Sequence, residues 1–186
     1  MQQRNRMEDR EFISRLKQAD TREFAFGQLV TQYQERLYWH IRKILLNHED
    51  TDDVLQNTFM KAWRNIDNFR EESSIFTWLY RIATNEAITF LNSRKRKSLV
   101  SINDIREYLL DNLTADPYFD GDELQLKLQK AILQLPEKQR LVFNMKYFDQ
   151  LKYEEMSQIL DTSVGALKAS FHHASKKIEE YIKNSE

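Results

Sequence analysis

A chain of 186 residues with 41% hydrophobic, 31% charged and 12% aromatic side chains has room for one domain or two small ones, with a packed core under a charged surface. Three glycines and two prolines cannot supply the turn every ~8–12 residues that a β-sandwich or barrel needs, nor a phosphate-cradling glycine loop. The absence of cysteine excludes disulfides, thiolate zinc sites and thiol catalysis, and the net charge of −1 excludes neither nucleic-acid nor protein partners.

The expected fold class is all-α. Asp20 and Glu23 form a D-x-x-E pair that reads as a capping box. Behind it Phe26, Val30, Tyr33, Leu37, Ile41 and Ile44 recur at steps of three and four, one stripe of an amphipathic helix. A shorter helix is expected around Phe12, Ile13 and Leu16. Asn47 to Thr51 break the pattern, and Asp50 or Thr51 is the expected cap of a helix carrying Val54, Leu55, Phe59, Ala62 and Trp63. Asn65 to Ser74 are polar and irregular. A helix from near Thr77 carries Trp78, Leu79, Ile82, Ala83, Ile88 and Leu91 and ends in the basic run Arg94 to Lys97.

Residues 99–122 read as a linker with a short helix at 103–110. Charge separates it from its flanks: net +3 over 1–99, −6 over 100–123 and +2 over 124–186. Such asymmetry points toward nucleic acid. A helix is expected at 123–134, then one opened by Pro136 and burying Leu141, Val142, Met145 and Phe148. A short helix, Tyr153 to Leu160, precedes the turn Asp161-Thr162-Ser163. The last helix places Val164, Leu167, Phe171, Ala174, Ile178 and Tyr181 on one stripe.

A short helix, a three-residue turn and a longer amphipathic helix form a helix-turn-helix, whose second helix enters the major groove. Its outer face here is Gly165, Ala166, Lys168, Ala169, Ser170, His172, His173, Lys176 and Lys177, preceded by Thr162 and Ser163. Small residues admit DNA closely, lysines suit phosphates, and serine or histidine reaches base edges or phosphates. The same spacing also fits an ordinary helical hairpin with a solvated lysine face.

The segment from Leu135 to Ile182 resembles region 4 of the sigma-70 family in its extracytoplasmic-function (ECF) branch. The segment from Asp50 to Arg96 resembles region 2 of that branch, in the expected order. The resemblance implies a region 2-like domain at 1–98, an acidic linker at 99–122 and a region 4-like domain at 123–186. The implied function is binding to core RNA polymerase, recognition of promoter −10 and −35 elements, and help in opening the duplex.

Carried onto this sequence, Asp52, Asp53, Gln56 and Asn57 match the surface that docks on the polymerase clamp, and region 4 would meet the polymerase flap as well as duplex −35 DNA. Asn68, Phe69, Arg70, Ser73, Ser74, Arg81 and Asn85 match the part that captures the melted −10 strand, where flipped bases need pockets and stacking platforms. Trp63, Trp78 and Phe90 are candidate platforms, although the tryptophans' helical spacing favours core. Arg94 to Lys97 would lie against phosphates, and the acidic linker would thread polymerase channels built for nucleic acid.

The sequence departs from the family pattern at several points. Asn57 stands where Glu is usual, Glu71 where Gly is common, Phe76 where Arg is common and Asp161 where the turn Gly is usual. Ala169 to Ser175 replace an arginine-rich run, so guanine reading by arginine is absent there, and a −35 element read less through guanines is expected.

No catalytic group, metal site or cofactor is expected. His172 and His173 are neighbours pointing ~100° apart, Asp52-Asp53 and Glu154-Glu155 are not facing pairs, and no nucleophile elbow is present. No apolar run approaches the ~20 residues of a membrane span and the N-terminus lacks a secretory stretch, so a cytoplasmic protein without direct membrane insertion is expected. Relatives are often held by an anti-sigma partner, although no residue here identifies one. Two other readings fit parts of the chain: a helix-turn-helix regulator that binds duplex as a dimer without polymerase, and a helical adaptor that never touches DNA.

Overall fold

The structure, a computed structural model, describes residues 11–97, 102–115 and 123–184, with side chains described over 11–94, 107–113 and 123–184. The described residues are helical throughout, with turns between. Residues 11–17 form α1. There follow α2 (Arg22–Leu45), α3 (His48–Asn65), a 3-10 turn (Ile66–Asn68), α4 (Ile75–Lys97), α5 (Ile102–Ala115), α6 (Glu123–Leu133), α7 (Glu137–Tyr147), α8 (Tyr153–Leu160) and α9 (Val164–Asn184).

Several helix ends differ from the sequence expectation. No capping box forms at Asp20: α2 begins after Thr21, whose hydroxyl donates to the Arg15 carbonyl at 2.8 Å. Nor does Asp50 or Thr51 cap α3. Asn47 does, its side chain accepting the Asp50 N–H at 2.9 Å. That frees Asp50 for the interior, where it is buried and receives Arg94 at 2.9 Å and the Tyr108 hydroxyl. Helix α4 starts two residues earlier than expected because Ser74 Oγ accepts the Thr77 N–H at 3.1 Å. The linker helix is longer than expected, 102–115 rather than 103–110, because Leu109 and Leu113 find core to bury against.

The chain turns through four left-handed residues, Leu46, Glu71, Gln150 and Asp161, and no described glycine has positive φ. Asp161, at φ 49°, ends α8 with its N–H on the Ser157 carbonyl, the role its turn position suggested. Glu71 has φ 59°, which explains why glycine is common at that place in the resembling family.

Helices α2, α3 and α4 pack mutually around Leu29, Leu37, Ile41, Val54, Ala62, Leu79 and Ala83. Helices α6, α7 and α9 bury a second core of Ala131, Ile132, Leu135, Phe143, Ala174 and Ile178. The two halves do not stand apart. Leu141, Met145, Leu151, Met156, Ile159 and Leu167 join the first core, and α8 packs on α4 while α7 meets α2. At this junction His40 Nδ1 meets Asp149 Oδ2 at 2.7 Å, Lys43 Nζ donates to Asp149 Oδ1 at 2.5 Å, and the Asn144 amide donates to the Lys43 carbonyl at 3.3 Å.

Candidate nucleic-acid interface

The helix-turn-helix is built by α8, the turn 161–163 and α9. Leu167, Ala174 and Ile178 anchor α9 to the body. Locally the turn is fixed by side chains: Thr162 Oγ1 donates to the Leu160 carbonyl at 3.0 Å, and Ser163 Oγ accepts the Ala166 N–H at 3.3 Å. Thr162 and Ser163 are therefore committed to the turn. Opposite the buried stripe, Gly165, Ala166, Lys168, Ala169, His172, His173 and Lys176 are exposed, and Ser170 is half-buried. A Cβ at Gly165 would meet nothing within 4 Å, so no internal packing requires glycine there. Lys168 is steadied over the Tyr153 ring at 5.7 Å, whereas Lys177 is tied to Gln139 of α7 at 3.0 Å. Lys176 sits 3.9 Å from Glu180 across one helical turn. The dipole of α9 adds a partial positive charge at its N-terminal end.

A second cluster gathers at the 3-10 turn and the start of α4. The turn is clamped by Lys17 Nζ on the Phe69 carbonyl at 2.7 Å and by Arg22 on Asp67 at 2.7 Å. Asn68, Arg70, Ser74, Arg81 and Asn85 are exposed and Ser73 is half-buried. Phe69 differs: it is buried, its ring 5.2 Å from Trp78, because the turn folds its side chain into the apolar seam under α4. It forms a wall of the cleft rather than an exposed platform. Trp78 is half-buried, and Trp63 is 38% exposed, lying against Phe26 at 5.0 Å with Arg22 over its face. Ser74 caps α4, so its hydroxyl already holds a backbone N–H. Of the basic run, Arg94 turns inward to Asp50; Lys95, Arg96 and Lys97 lie outside the described side chains.

These two clusters meet. Asn68, Phe69, Arg70, Trp78 and Arg81 line one side of a cleft of about 520 Å³, and Ser157, Gln158 and Asp161 line the other. Sequence reasoning placed them in separate domains, and no local pattern brings residues 81 and 158 together.

The third cluster is the outer face of α3. Asp52, Asp53, Gln56 and Asn57 are all exposed and contiguous. Asp52 lies 3.5 Å from His48, which in turn bonds Tyr38 at 2.7 Å. Exposed Met60 continues the ridge of Gln56 and Asn57, and Trp39, 51% exposed, lies beside Tyr38 with ring centroids 5.3 Å apart. Met60 and Trp39 were missed in the sequence. The available signal was a large apolar side chain off the helix stripe, which interfaces favour.

The junction carries the shifted titrations. Burial would push the Asp149 carboxyl up, but the bond and charge of His40, with Lys43, outweigh it and hold it below the ordinary carboxylate range. Burial, with the Asp149 charge nearby, pushes the Tyr80 hydroxyl far above its ordinary range. Among the described residues no three histidine, aspartate or glutamate side chains gather as a metal site, and no helix is long and apolar enough to cross a membrane.

Residues 29–97 match the family model of Sigma-70 region 2, and residues 125–178 that of Sigma-70, region 4. RNA polymerase sigma-H factor of Pseudomonas aeruginosa is 30% identical, the match covering 94% of each chain. The ECF RNA polymerase sigma-E factor of Haemophilus influenzae is 30% identical over 94% of this chain and 95% of its own. The ECF RNA polymerase sigma factor SigW of Bacillus subtilis is 30% identical over 92% and 95%. In fold, the chain is similar to the sigma factor RpoE solved with the anti-sigma factor NepR from Bartonella quintana (TM-score 0.68, 23% identity, 85% of this chain and 96% of that one). It is equally similar to CnrH solved with the cytosolic domain of CnrY (TM-score 0.68, 22% identity, 96% and 99%).

Proposed function

As this chain belongs to the sigma-70 family of RNA polymerase sigma factors, in its ECF branch, we propose that its three exposed clusters divide the work of promoter recognition. The protein binds core RNA polymerase, recognises promoter −10 and −35 elements and promotes transcription initiation. In the proposed division, 1–98 serves polymerase and the −10 element, 99–122 is the linker, and 123–186 serves the −35 element and the polymerase flap.

Asp52, Asp53, Gln56 and Asn57 dock on the polymerase clamp, with Met60 and Trp39 as apolar neighbours. Asn68, Arg70, Ser73, Ser74, Arg81 and Asn85 hold the opened −10 strand, with Phe69 and Trp78 as the apolar floor. Gly165, Ala166, Lys168, Ala169, Ser170, His172, His173 and Lys176 meet duplex −35 DNA, from a turn fixed by Thr162 and Ser163. The observation that carries this reading is the outer face of α9: small and cationic residues lie exposed opposite a fully anchored stripe, next to a helix N-terminus. With serine and histidine in place of arginine, that face discriminates through shape and phosphate contact more than through guanine.

Bond formation belongs to the polymerase, so the protein acts as a non-enzymatic factor in the cytoplasm, where polymerase and DNA meet. The solved relatives are complexed with NepR and with CnrY, and we extend to this chain an anti-sigma partner.

The test is binding to purified core polymerase. Joint Asp52→Lys and Asp53→Lys substitution is expected to weaken it about tenfold or more, about 1.4 kcal/mol, while leaving the fold intact because both side chains are exposed. Wild-type affinity in that variant would overturn the proposed clamp surface. Tight duplex binding by the free protein, with no affinity for polymerase, would instead favour a helix-turn-helix regulator.

A further inference from the structure

We propose that Lys17 is a positioning residue for capture of the opened −10 strand: from α1 it fixes the shape of the turn that carries Asn68, Arg70 and Ser73, a role that rests on the sigma-factor reading of that turn. The turn does little to hold itself. Its backbone bonds stop at Phe69, whose N–H donates to the Ile66 carbonyl at 3.1 Å, and resume at the Ser74 carbonyl, which accepts the Trp78 N–H at 3.0 Å. Within that gap Glu71 has φ 59°, a left-handed conformation that disfavours any residue with a Cβ. A segment with few internal bonds and one strained residue keeps a single shape only when its neighbours impose it.

Lys17 grips the turn at two residues. Its Nζ donates to the Phe69 carbonyl at 2.7 Å and lies 3.9 Å from Glu71 Oε1. The same Nζ stands 5.9 Å from the centroid of the Phe69 ring, an attractive place for a cation. A glycine at 71 would take that φ freely but would offer Lys17 no carboxylate. Lys17 is itself held in place. Ile13 and Leu16 are buried in the first core, and the Thr21 hydroxyl ties α1 to α2 by donating to the Arg15 carbonyl at 2.8 Å. A second arm reaches the turn from the start of α2, where Arg22 donates to Asp67 at 2.7 Å with its guanidinium 5.2 Å over the Trp63 ring.

Lys17 acts through the turn rather than on the strand. No residue of α1 lines the cleft where Asn68, Arg70 and Trp78 lie, whereas Ile13 lines the neighbouring cleft with Glu71 and Glu72. A base held in the first cleft therefore meets Asn68 and Arg70, not Lys17. Lys17 and Arg22 both precede residues 29–97, the segment that matches the region 2 model, so they add to that pattern from outside it. A turn already in its binding shape spares the strand the loss of freedom that ordering it would entail, so the benefit appears as affinity for the opened strand.

Lys17→Met keeps the aliphatic stem and removes only the donor and the charge. Holoenzyme assembled from core polymerase and the wild-type or variant chain is titrated with two probes built from a promoter that the wild-type holoenzyme transcribes: a fork, single-stranded across the −10 element, and a −35 duplex. The fork is expected to bind about tenfold more weakly to the Lys17→Met holoenzyme, with affinities for core and for the −35 duplex within about twofold of wild type. Lys17→Arg, which keeps donor and charge, is expected to restore fork binding. Unchanged fork affinity in Lys17→Met, or an equal loss of all three affinities, overturns the positioning role. Wild-type holoenzyme that binds forks with scrambled −10 bases equally well overturns the −10 reading itself. The shape of the turn is measured without polymerase or DNA. Nitrogen relaxation order parameters at residues 70–73 are expected near ~0.85 in wild type and below ~0.6 in Lys17→Met. Equal values overturn the clamp whatever the fork shows. Should Lys17→Met fail to fold, Asp67→Ala, at a side chain 60% exposed, removes the Arg22 arm instead. The same order parameters are expected to fall in it, and unchanged values overturn the clamp.

Discussion

Gly165 separates stability from function at a single residue. It sits in the first turn of α9 with open space around it, so Gly165→Ala gains helix propensity and loses nothing inside. Stability is expected to rise by roughly 0.5 kcal/mol, since a glycine in a helix costs ~0.5–1 kcal/mol relative to alanine and end positions feel less of it. If DNA approaches the backbone there, affinity for a −35 duplex falls severalfold in the same variant. Denaturant melts and duplex titrations check the two halves; lower stability with unchanged affinity would contradict the assignment. Many of the residues proposed to meet DNA were legible in the sequence for one reason. They lie opposite an uninterrupted apolar stripe, and the stripe fixes which way α9 faces. Phe69 was legible as part of the turn proposed to hold the −10 strand but not in its direction, because that turn is clamped by Lys17, 52 residues away, donating to its backbone carbonyl.

At the scale of elements, helix existence followed from apolar periodicity, whereas helix ends did not. Leu46, Glu71, Gln150 and Asp161 turn the chain in a left-handed conformation that costs non-glycine residues ~1–2 kcal/mol each, and of these Asp161 alone has a side chain suggesting a turn. Asp50 shows the same limit from the other side. An aspartate near a helix start reads as a cap, but Asn47 takes that place and Asp50 becomes the anchor of α5 through Tyr108. The Tyr108 hydroxyl is pushed upward by burial and by donating to Asp50, as expected for a phenol that stays protonated. Removing it by Tyr108→Phe deletes one hydrogen bond to a charged acceptor, worth about 1.5–3 kcal/mol. Amide exchange in α5 is expected to quicken at least tenfold while α2 and α3 keep their protection. Unchanged exchange in α5 would show that Leu109 and Leu113 hold the helix without Asp50.

The molecule as a whole is two helical units joined by a continuous core and a buried charge cluster. Such a cluster is a weak glue beside the apolar core it adjoins. Opening returns both ions to water, so its net stabilisation is small, whereas removing one partner from the closed form costs about 3–5 kcal/mol. None of this junction was legible in the sequence. His40 and Asp149 are 109 residues apart and neither belongs to a local pattern, so only folded geometry brings them together. The two units themselves were legible, because the acidic segment between them has weak periodicity and the opposite charge balance.

Run-off transcription tests most directly whether the protein directs polymerase to promoters. Core polymerase, genomic fragments of the source organism and this protein are combined at pH 8, with the protein omitted in a parallel reaction. Discrete transcripts that depend on the protein are predicted, with start sites sharing a pair of upstream elements and with loss of signal in the Asp52→Lys, Asp53→Lys variant. No protein-dependent transcript from a core that initiates normally with another sigma factor would contradict the account.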